Sequence, residues 1–395
     1  MAAVPHVDRL LLAAPVWAQR LLIGATLCVM AWQCLPNVPR EYVDFSQTAW
    51  LSHISQEPTF GTDTIADAYE AKVILNDPLD MYTKARLAQT PVEAATWSKA
   101  ASAPYPPVVL LAEAALYAVG ERLGIGLYGM VLLLAAAFIG GSAWYFLQTR
   151  WYVFPLLYVN FAYVSHRFVA VQDGSYLVML VVILCALLLA RAGRPACHAL
   201  MAIAITMKLS PLFYVTALPR MRRRTATLFV AILLAGLVLP YVIWDHYAYI
   251  YVFHDELKGG RSGLWAGLGF GAVFSVMLWY VDVRRGFDLE DRFGWALIPV
   301  AMFLAMKMNV PRHLLIVLLV PDKRAVRNLI AAFALLVPVA LPGVRFGATL
   351  PITSVLLFAT LGWHLRHIGW QVVREDCRRP LRTAQMMFRG AATPR

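Results

Sequence analysis

The chain has 395 residues, of which 60% are hydrophobic and 15% are charged, and its formal net charge at pH 7 is +12. An ordinary soluble domain has roughly 45–50% apolar and 25% charged residues, so this composition excludes a soluble fold with one apolar core. Apolar runs close to the roughly 20 residues that cross a bilayer recur along the chain, which predicts an all-α polytopic membrane protein.

The positive charge is explained by membrane topology, because the basic residues occur in short clusters between apolar runs. Such clusters mark cytoplasmic loops under the positive-inside rule. They lie at 218–224, 282–285 and 321–324 and in the tail 365–395. We therefore expect no nucleic-acid partner. The five cysteines are scattered, and their spacing predicts neither a disulfide framework nor a zinc site.

The first apolar run, from Leu21 to Leu35, is interpreted as a retained first span, because it has no small-residue cleavage site and continues into Pro36. The polar segment 37–103 follows, with nine acidic residues against five basic ones. Its negative charge predicts a long external loop. The patterns at 65–75 and 81–88 alternate apolar and charged residues, which predicts short interfacial helices.

Candidate membrane helices then follow almost without a break, at 106–119, 125–147, 151–169, 175–190, 199–218, 225–244, 263–281, 293–308, 312–321, 327–342 and 348–364. With the first span they predict about twelve crossings in one domain, 1–395, with both termini cytoplasmic. Arg191 and Arg194 have the character of a cytoplasmic loop, whereas twelve complete spans place them outside. A broken hairpin at 199–218, turning at Lys208–Pro211, removes this conflict. The basic tail is expected to be disordered or to lie along anionic headgroups.

Polar residues at the external ends of the spans are the candidates for chemistry, since the Walker, Gly-x-Ser-x-Gly, His-Glu-x-x-His and Asp-x-Asp motifs are missing. Asp44 follows the first span, and it is either a solvated loop acid or a general base with limited hydration. Tyr105 lies in Ala-Pro-Tyr-Pro-Pro at 103–107, which is typical of a helix start whether or not it binds a ligand.

Three further polar segments interrupt the apolar runs. Gln172 lies in Val-Gln-Asp-Gly-Ser, between two of them. Lys208 lies inside an apolar segment, where it either snorkels or pairs with an acid or an anionic ligand. Arg312 and His313 end a short segment; arginine can bind phosphate through two donors and histidine can share a proton, and a plain loop cap is the equal alternative.

In this order the motifs resemble family 87 of the GT-C glycosyltransferases, which includes polyprenol-phosphate-mannose-dependent mannosyltransferases such as those of phosphatidylinositol-mannoside synthesis. The resemblance extends from Asp44 to His313 and implies a GT-C-type helical bundle. It also implies that Asp44 is the catalytic base and His313 a second active-site residue, while Tyr105, Gln172 and Lys208 line the cavity or contact the donor phosphate. The chain departs from the family pattern after Gln172, where the family more often has Gly-Gln.

The resulting hypothesis is an inverting transfer of a sugar, mannose by the resemblance, from a polyprenyl phosphate to a lipid or glycan acceptor on the outer face of the plasma (inner) membrane. Asp44 takes the acceptor proton, and Lys208, Arg312 or Arg261 stabilises the leaving phosphate. No cofactor is expected, and the sequence leaves a divalent metal open. The alternatives are a secondary transporter, for which Lys208 in a broken helix is equally natural, and a flippase-type membrane subunit.

Overall fold

The computed structural model describes residues 11–34, 75–76, 78–80, 106–148, 151–152, 154–155, 174–207, 214–215, 217–218, 220–244, 261–308 and 349–392. These residues are helical and contain no strand, which confirms the all-α prediction for this part of the chain. The spans predicted at 151–169, 312–321 and 327–342 lie wholly or almost wholly outside it. The same holds for the interfacial helices predicted at 65–75 and 81–88.

The helices in chain order are α1 (Val16–Cys34), α2 (Pro107–Arg122), α3 (Gly126–Leu147), α4 (Gly174–Arg191), α5 (Cys197–Met207), α6 (Arg223–Ile243), α7 (Arg261–Arg285), α8 (Leu289–Met308), α9 (Thr349–Ile368), α10 (Trp370–Arg378) and α11 (Pro380–Ala392). A 3₁₀ turn also occurs at Pro78–Asp80.

Two of the described helices are long and apolar enough to cross a membrane, α6 and the part of α7 from Trp265 to Arg285. Much of the α6 surface is apolar and exposed, with Leu234 57% and Val242 74% accessible. In water such a surface is unfavourable, whereas acyl chains cover it without loss. Both helices coincide with predicted spans, and the total of about twelve crossings remains a prediction.

The core is built around α4, which contacts α2, α3, α5 and α8. Leu177, Leu180, Ile183 and Leu187 of α4 are completely buried. Met179 and Ala186 are also completely buried and widen this buried surface to about half of the helix, so α4 packs against several neighbours at once. The other helices therefore take their positions from the central α4.

One end of this bundle gathers several arginines, and we call it the arginine end, defined by Arg191, Arg220, Arg285 and Arg292. The α4 residue Arg191 donates to the carbonyl oxygen of Tyr145 on α3 over 3.4 Å. The hydroxyl of Tyr145 donates to Glu290 of α8 over 2.7 Å. Because these contacts join the end of α3, the end of α4 and the start of α8, all three helix termini lie together.

Further contacts bring α1, α7 and α9 to the arginine end. Arg285, the last residue of α7, lies 3.1 Å from Nδ1 of His364 on α9. The Trp151 indole, just after α3, donates to the carbonyl oxygen of Leu11 before α1 over 2.9 Å. Six helices, α1, α4, α6, α7, α8 and α9, have one terminus at the arginine end, so their other termini lie on the opposite side, which we call the far end. These far-end termini are Cys34, Gly174, Ile243, Arg261, Met308 and Thr349.

Within the predicted span at 199–218 the structure describes a short helix, α5, and then residues 214–215 and 217–218. The α5 helix has 11 residues, about 16 Å at 1.5 Å per residue, which is near half of a hydrocarbon core of about 30 Å. His198 at its start hydrogen-bonds to the hydroxyl of Tyr214 over 2.8 Å, and the Tyr214 ring contacts Phe293 of α8 with centroids 5.4 Å apart. The chain has therefore come back to the arginine end by residue 214, as the broken-hairpin alternative requires.

The basic tail forms helices α10 and α11, so the expectation of a disordered tail is wrong for residues 370–392. Gly369 separates α9 from α10 with a φ of +98°, a conformation that glycine adopts without strain. The tail helices contact each other, and α11 contacts α7. The tail is thus ordered by contact with α7 and α9.

Close packing of α5 against α6 gives a first prediction. A Cβ atom built on Gly236 would overlap the side chain of Thr206, whereas one built on Gly140 of α3 has no neighbour within 4 Å. We expect Gly236→Ala to lower the free energy of unfolding by about 1–3 kcal/mol, the usual effect of overpacking. The matched Gly140→Ala should raise it by about 0.5–1 kcal/mol, because alanine is the better helix former. Thermal unfolding in detergent measures both.

A partial rescue separates steric overlap from a general effect of alanine in α6. Thr206→Ser removes the methyl carbon that lies closest to the built Cβ atom. In the Gly236→Ala background it should therefore recover part of the lost stability. A Gly236→Ala protein as stable as the parent would contradict the close approach of α5 and α6.

Candidate functional site

The structure describes the backbone of Arg261 among the sequence-predicted site residues, as the first residue of α7. The remaining predicted site residues lie outside the described part of the chain: Asp44, Tyr105, Gln172, Lys208, Arg312 and His313. Their roles stay predictions. The directions of the adjoining helices nevertheless bear on which side of the bundle each of them belongs to.

All but one of these positions lie in sequence beside a helix terminus that points toward the far end, and we call them the far-end group. Asp44 follows Cys34, the end of α1, by ten residues, and Gln172 precedes Gly174, the start of α4, by two. Lys208 comes directly after the last residue of α5, and Arg261 begins α7. Arg312 and His313 follow Met308, the end of α8, by four and five residues. Helix direction therefore predicts that these positions, which are far apart in sequence, lie on the same side of the bundle.

Tyr105 is set apart from this group by the α2–α3 hairpin. Only residues 123–125 connect α2 to α3, with the amide of Ile125 donating to the carbonyl oxygen of Gly120 over 2.9 Å. Because α3 ends at the arginine end, the antiparallel α2 begins on that side. Pro107, two residues after Tyr105, is thus on the side opposite to the far end. Tyr105 is therefore not a member of the far-end group.

The arginine end contains the densest polar cluster that the structure describes, centred on Asp282 in the last turn of α7. Asp282 is 3% exposed. One of its carboxylate oxygens accepts from Nε of Arg292 over 2.8 Å and lies 3.2 Å from Nε of Arg220. The other accepts the backbone amide of Phe287 over 3.1 Å. A single carboxylate thus joins α7, α8 and the segment before α6.

The connection between α7 and α8 explains how the sequence builds this cluster. Gly286 takes a φ of +64° and ends α7, which brings the following amide back to Asp282. Asp288 then accepts the amide of Asp291 over 2.9 Å and caps the start of α8. Arg292, one turn into α8, also donates to the carbonyl oxygen of Phe287 over 2.7 Å. The result is a rigid turn with its charges paired inward.

A small cavity adjoins this cluster and is lined by Ala217, Arg220, Ser275, Leu278, Trp279, Asp282, Phe287, Arg292 and Ala296. Its interior volume of about 20 Å³ has room for one water, whereas sites for small organic ligands have volumes of about 300–1,000 Å³. The cavity therefore cannot hold a sugar or a lipid phosphate. The Asp282 cluster stabilises the fold, and a site for chemistry has to be sought elsewhere.

A metal centre is also not visible among the described residues: no three of their His, Cys, Asp or Glu side chains are grouped so that they could hold an ion. Asp44 lies outside the described residues. The question of a divalent metal at the far end is therefore unaffected.

In the sequence, the basic clusters at 218–224 and 282–285 were interpreted as topology signals. No ion pairs were predicted there. Two signals in the sequence point to the pairing in retrospect. Asp282 is an acid near the end of an apolar helix, which is costly without a partner. It is also followed closely by Gly286 and, one helical turn into α8, by Arg292. The partner Arg220, some sixty residues away, could not be inferred from local spacing.

Comparison with known proteins adds no assignment: no family model, no curated protein and no solved structure matches this chain.

Proposed function

We propose that this chain is a polytopic membrane glycosyltransferase that transfers a sugar, mannose in the first instance, from a polyprenyl phosphate to a lipid or glycan acceptor outside the cytoplasm. The observation that carries the proposal is the common direction of the helices next to its candidate residues. Asp44, Gln172, Lys208, Arg261 and the pair Arg312–His313 adjoin helices that point to the far end. Their order along the chain is the order in which family 87 of the GT-C enzymes arranges its motifs.

The charge distribution supports an external position for the far end. Arg191, Arg220 and Arg285 belong to the arginine end, and the positive-inside rule assigns such an end to the cytoplasm. The far end then faces outward, where polyprenyl-linked sugars rather than nucleotide sugars are the available donors. The acidic segment 37–103 leaves α1 at the far end, but it leads into α2, which begins on the arginine side, so the predicted wholly external loop does not fit this arrangement.

The short helix α5 supports a binding role for Lys208. The described helix extends from the arginine end to Met207, about half a membrane thickness away, and Lys208 is the next residue. A lysine at such a depth requires an anionic partner or a long snorkel to water. A donor phosphate supplies the anion, and interrupted helices are tolerated where they line a cavity.

The proposed reaction is a single inverting displacement. The carboxylate of Asp44 accepts the proton of the acceptor hydroxyl as its oxygen forms a bond to the anomeric carbon. The bond between that carbon and the phosphate oxygen breaks, and the polyprenyl phosphate departs with the electron pair. Lys208, Arg261 or Arg312 stabilises the phosphate charge, so no acid is needed to protonate the leaving group. His313 orients the acceptor or shares its proton.

A transfer assay tests the proposal directly. Purified protein in nanodiscs is incubated with polyprenyl-phosphate sugars that carry a radiolabel in the sugar, together with membrane lipid acceptors. We expect label to move into the acceptor fraction with one sugar in preference to the others. Reactions without acceptor report donor hydrolysis alone. Absence of transfer with every donor and acceptor combination would reject the glycosyltransferase assignment.

Secondary transport is the second candidate, and the half-length α5 is the observation that favours it, because discontinuous helices line the substrate sites of many transporters. The two candidates make opposite predictions in proteoliposomes. A transporter accumulates a soluble substrate when an ion gradient is imposed and forms no new glycosidic bond. A glycosyltransferase forms that bond with no gradient present.

A further inference from the structure

The surface of the two tail helices combines exposed arginines with exposed apolar side chains. We call it the tail surface, defined by Trp370, Arg374, Cys377, Arg378, Arg379, Leu381 and Arg382. The indole of Trp370 is 60% exposed and Leu381 is 81% exposed. The four arginines and Cys377 are exposed as well. Large apolar side chains in this state require a covering that the described part of the chain does not provide.

The spacing of these residues makes α10 amphipathic. Trp370, Val373 and Cys377 fall at positions i, i+3 and i+7 and therefore share one side of the helix, of which Trp370 and Cys377 remain exposed. Residues 370–392 contain five arginines against two acids. A basic amphipathic helix with tryptophan beside its apolar side is the pattern of a helix that lies in a membrane interface.

A hydrogen-bonded clasp fixes the tail surface at the end of a membrane-crossing helix. The Asp376 carboxylate accepts from Nε of Arg284 over 2.9 Å and from the hydroxyl of Tyr280 over 2.6 Å. Thr383 of α11 donates to the carbonyl oxygen of Asp376 over 2.8 Å. Tyr280 and Arg284 belong to the last two turns of α7, where its apolar stretch ends. The clasp thus holds α10 at the level where a span emerges from the bilayer.

The clasp pairs one of the two acids of the tail with an arginine of α7, so the net charge of the tail surface stays positive. Burial raises the pKa of Asp376, but hydrogen bonds from Arg284 and Tyr280 outweigh this effect and lower the pKa below its usual value. Asp376 is therefore ionised at neutral pH and bound to Arg284. The second acid, Glu375, forms an ion pair with Arg379 over 3.4 Å. Arg374, Arg378 and Arg382 stay as exposed positive charges.

We propose that the tail surface binds anionic phospholipid headgroups of the leaflet at the arginine end, with Trp370 and Leu381 inserted at the boundary of the acyl chains. Charge complementarity selects this occupant over a neutral lipid, and the clasp to α7 places the surface beside a membrane rather than in open solvent. The inference rests on the membrane placement in the proposed function and does not depend on sugar transfer. It can therefore fail while sugar transfer is observed, and hold when it is not.

Hydrogen exchange of the full-length protein tests this binding. Amide exchange in 370–392 is compared between nanodiscs of phosphatidylcholine alone and nanodiscs that also contain phosphatidylglycerol. Each arginine near an anionic surface contributes about fivefold in binding. The triple variant R374Q/R378Q/R382Q should therefore reduce the preference for the anionic membrane by about 10²-fold. In the parent protein we expect exchange to slow at least about tenfold when phosphatidylglycerol is present.

A matched control separates tail binding from a general change in charge. The variant R222Q/R223Q/R224Q removes the same number of exposed arginines before and at the start of α6, and it should leave the lipid dependence of the tail unchanged. Equal tail exchange in both nanodisc types would overturn the proposal, as would an equal loss in both triple variants. Full protection of the tail in lipid-free detergent would also overturn it, because the tail surface would then be covered by protein.

Discussion

Asp282→Asn is expected to lower the free energy of unfolding by about 3 kcal/mol, at the lower end of the 3–5 kcal/mol usual for breaking a buried ion pair. The asparagine keeps the shape of the side chain but removes its charge. It leaves Arg292 and Arg220, whose side chains are 22% and 13% exposed, without their shared carboxylate. Partial exposure of the arginines lets water screen them, which is why the lower end of the range applies.

Asp288→Asn is the matched control, since it makes the same chemical change six residues later in the same turn. Asp288 is exposed and caps α8 through the amide of Asp291, and asparagine caps helices about as well as aspartate. Its expected effect is within about 0.5 kcal/mol. Both variants are compared by thermal unfolding in detergent. Equal melting of the two would show that the Asp282 ion pairs contribute nothing beyond hydrogen bonding.

A suppressor distinguishes loss of the ion pair from loss of the turn. If the uncompensated guanidinium groups cause the destabilisation, adding Arg292→Gln to Asp282→Asn should restore part of the stability, because one partly buried positive charge is removed. If the main loss is the bond to the Phe287 amide, the second substitution brings no recovery. The sign of this coupling therefore tests the electrostatic account.

Several of the described helices were well predicted by hydropathy, because each span is a local property of about 20 residues. The prediction for α6 was 225–244, and the helix is Arg223–Ile243. For α7 the predicted end, 281, is too early: the helix continues through Asp282 to Arg285. Charged residues were interpreted as loop, whereas here a long-range ion pair and a glycine C-cap keep them helical.

Contacts between distant residues could not be predicted in the same way. The bond between Tyr145 and Glu290 joins residues that are 145 positions apart, and nothing in either local sequence names the other. The tail shows the same limit. Its composition suggested disorder, but the Asp376 clasp and the adjacent α9 order it. Composition reports how the isolated tail would behave, whereas in the folded chain the tail has α7 and α9 to pack against.

The broken-hairpin alternative at 199–218 shows what sequence did provide at the candidate site. The conflict between Arg191 and complete spans was visible in the charge pattern alone, and it located the interruption at Lys208–Pro211. The hydrogen bond between His198 and Tyr214 brings the chain back to the start of α5 and agrees with that interruption. A topology conflict in a membrane sequence was thus the best pointer to an irregular segment.

The chemical roles of Asp44 and Lys208 lead to the largest expected effect on activity. Asp44→Asn removes the proton acceptor, and proton transfer of this kind typically contributes about 10²–10⁴-fold. We therefore expect kcat to fall by about that factor with little change in donor binding. Glu41→Gln is the matched control, three residues earlier in the same acidic segment, and should retain nearly full activity.

Lys208→Met should fail in a different way, because a lysine that binds the donor phosphate acts in the ground state as well as in the transition state. Donor affinity and turnover should fall together, while methionine suits an apolar segment and preserves stability. Donor binding and transfer are measured for each variant in nanodiscs. Full activity in Asp44→Asn would end the proposed mechanism, whereas unchanged donor affinity in Lys208→Met would leave the lysine a snorkelling residue and transfer the phosphate contact to Arg261 or Arg312.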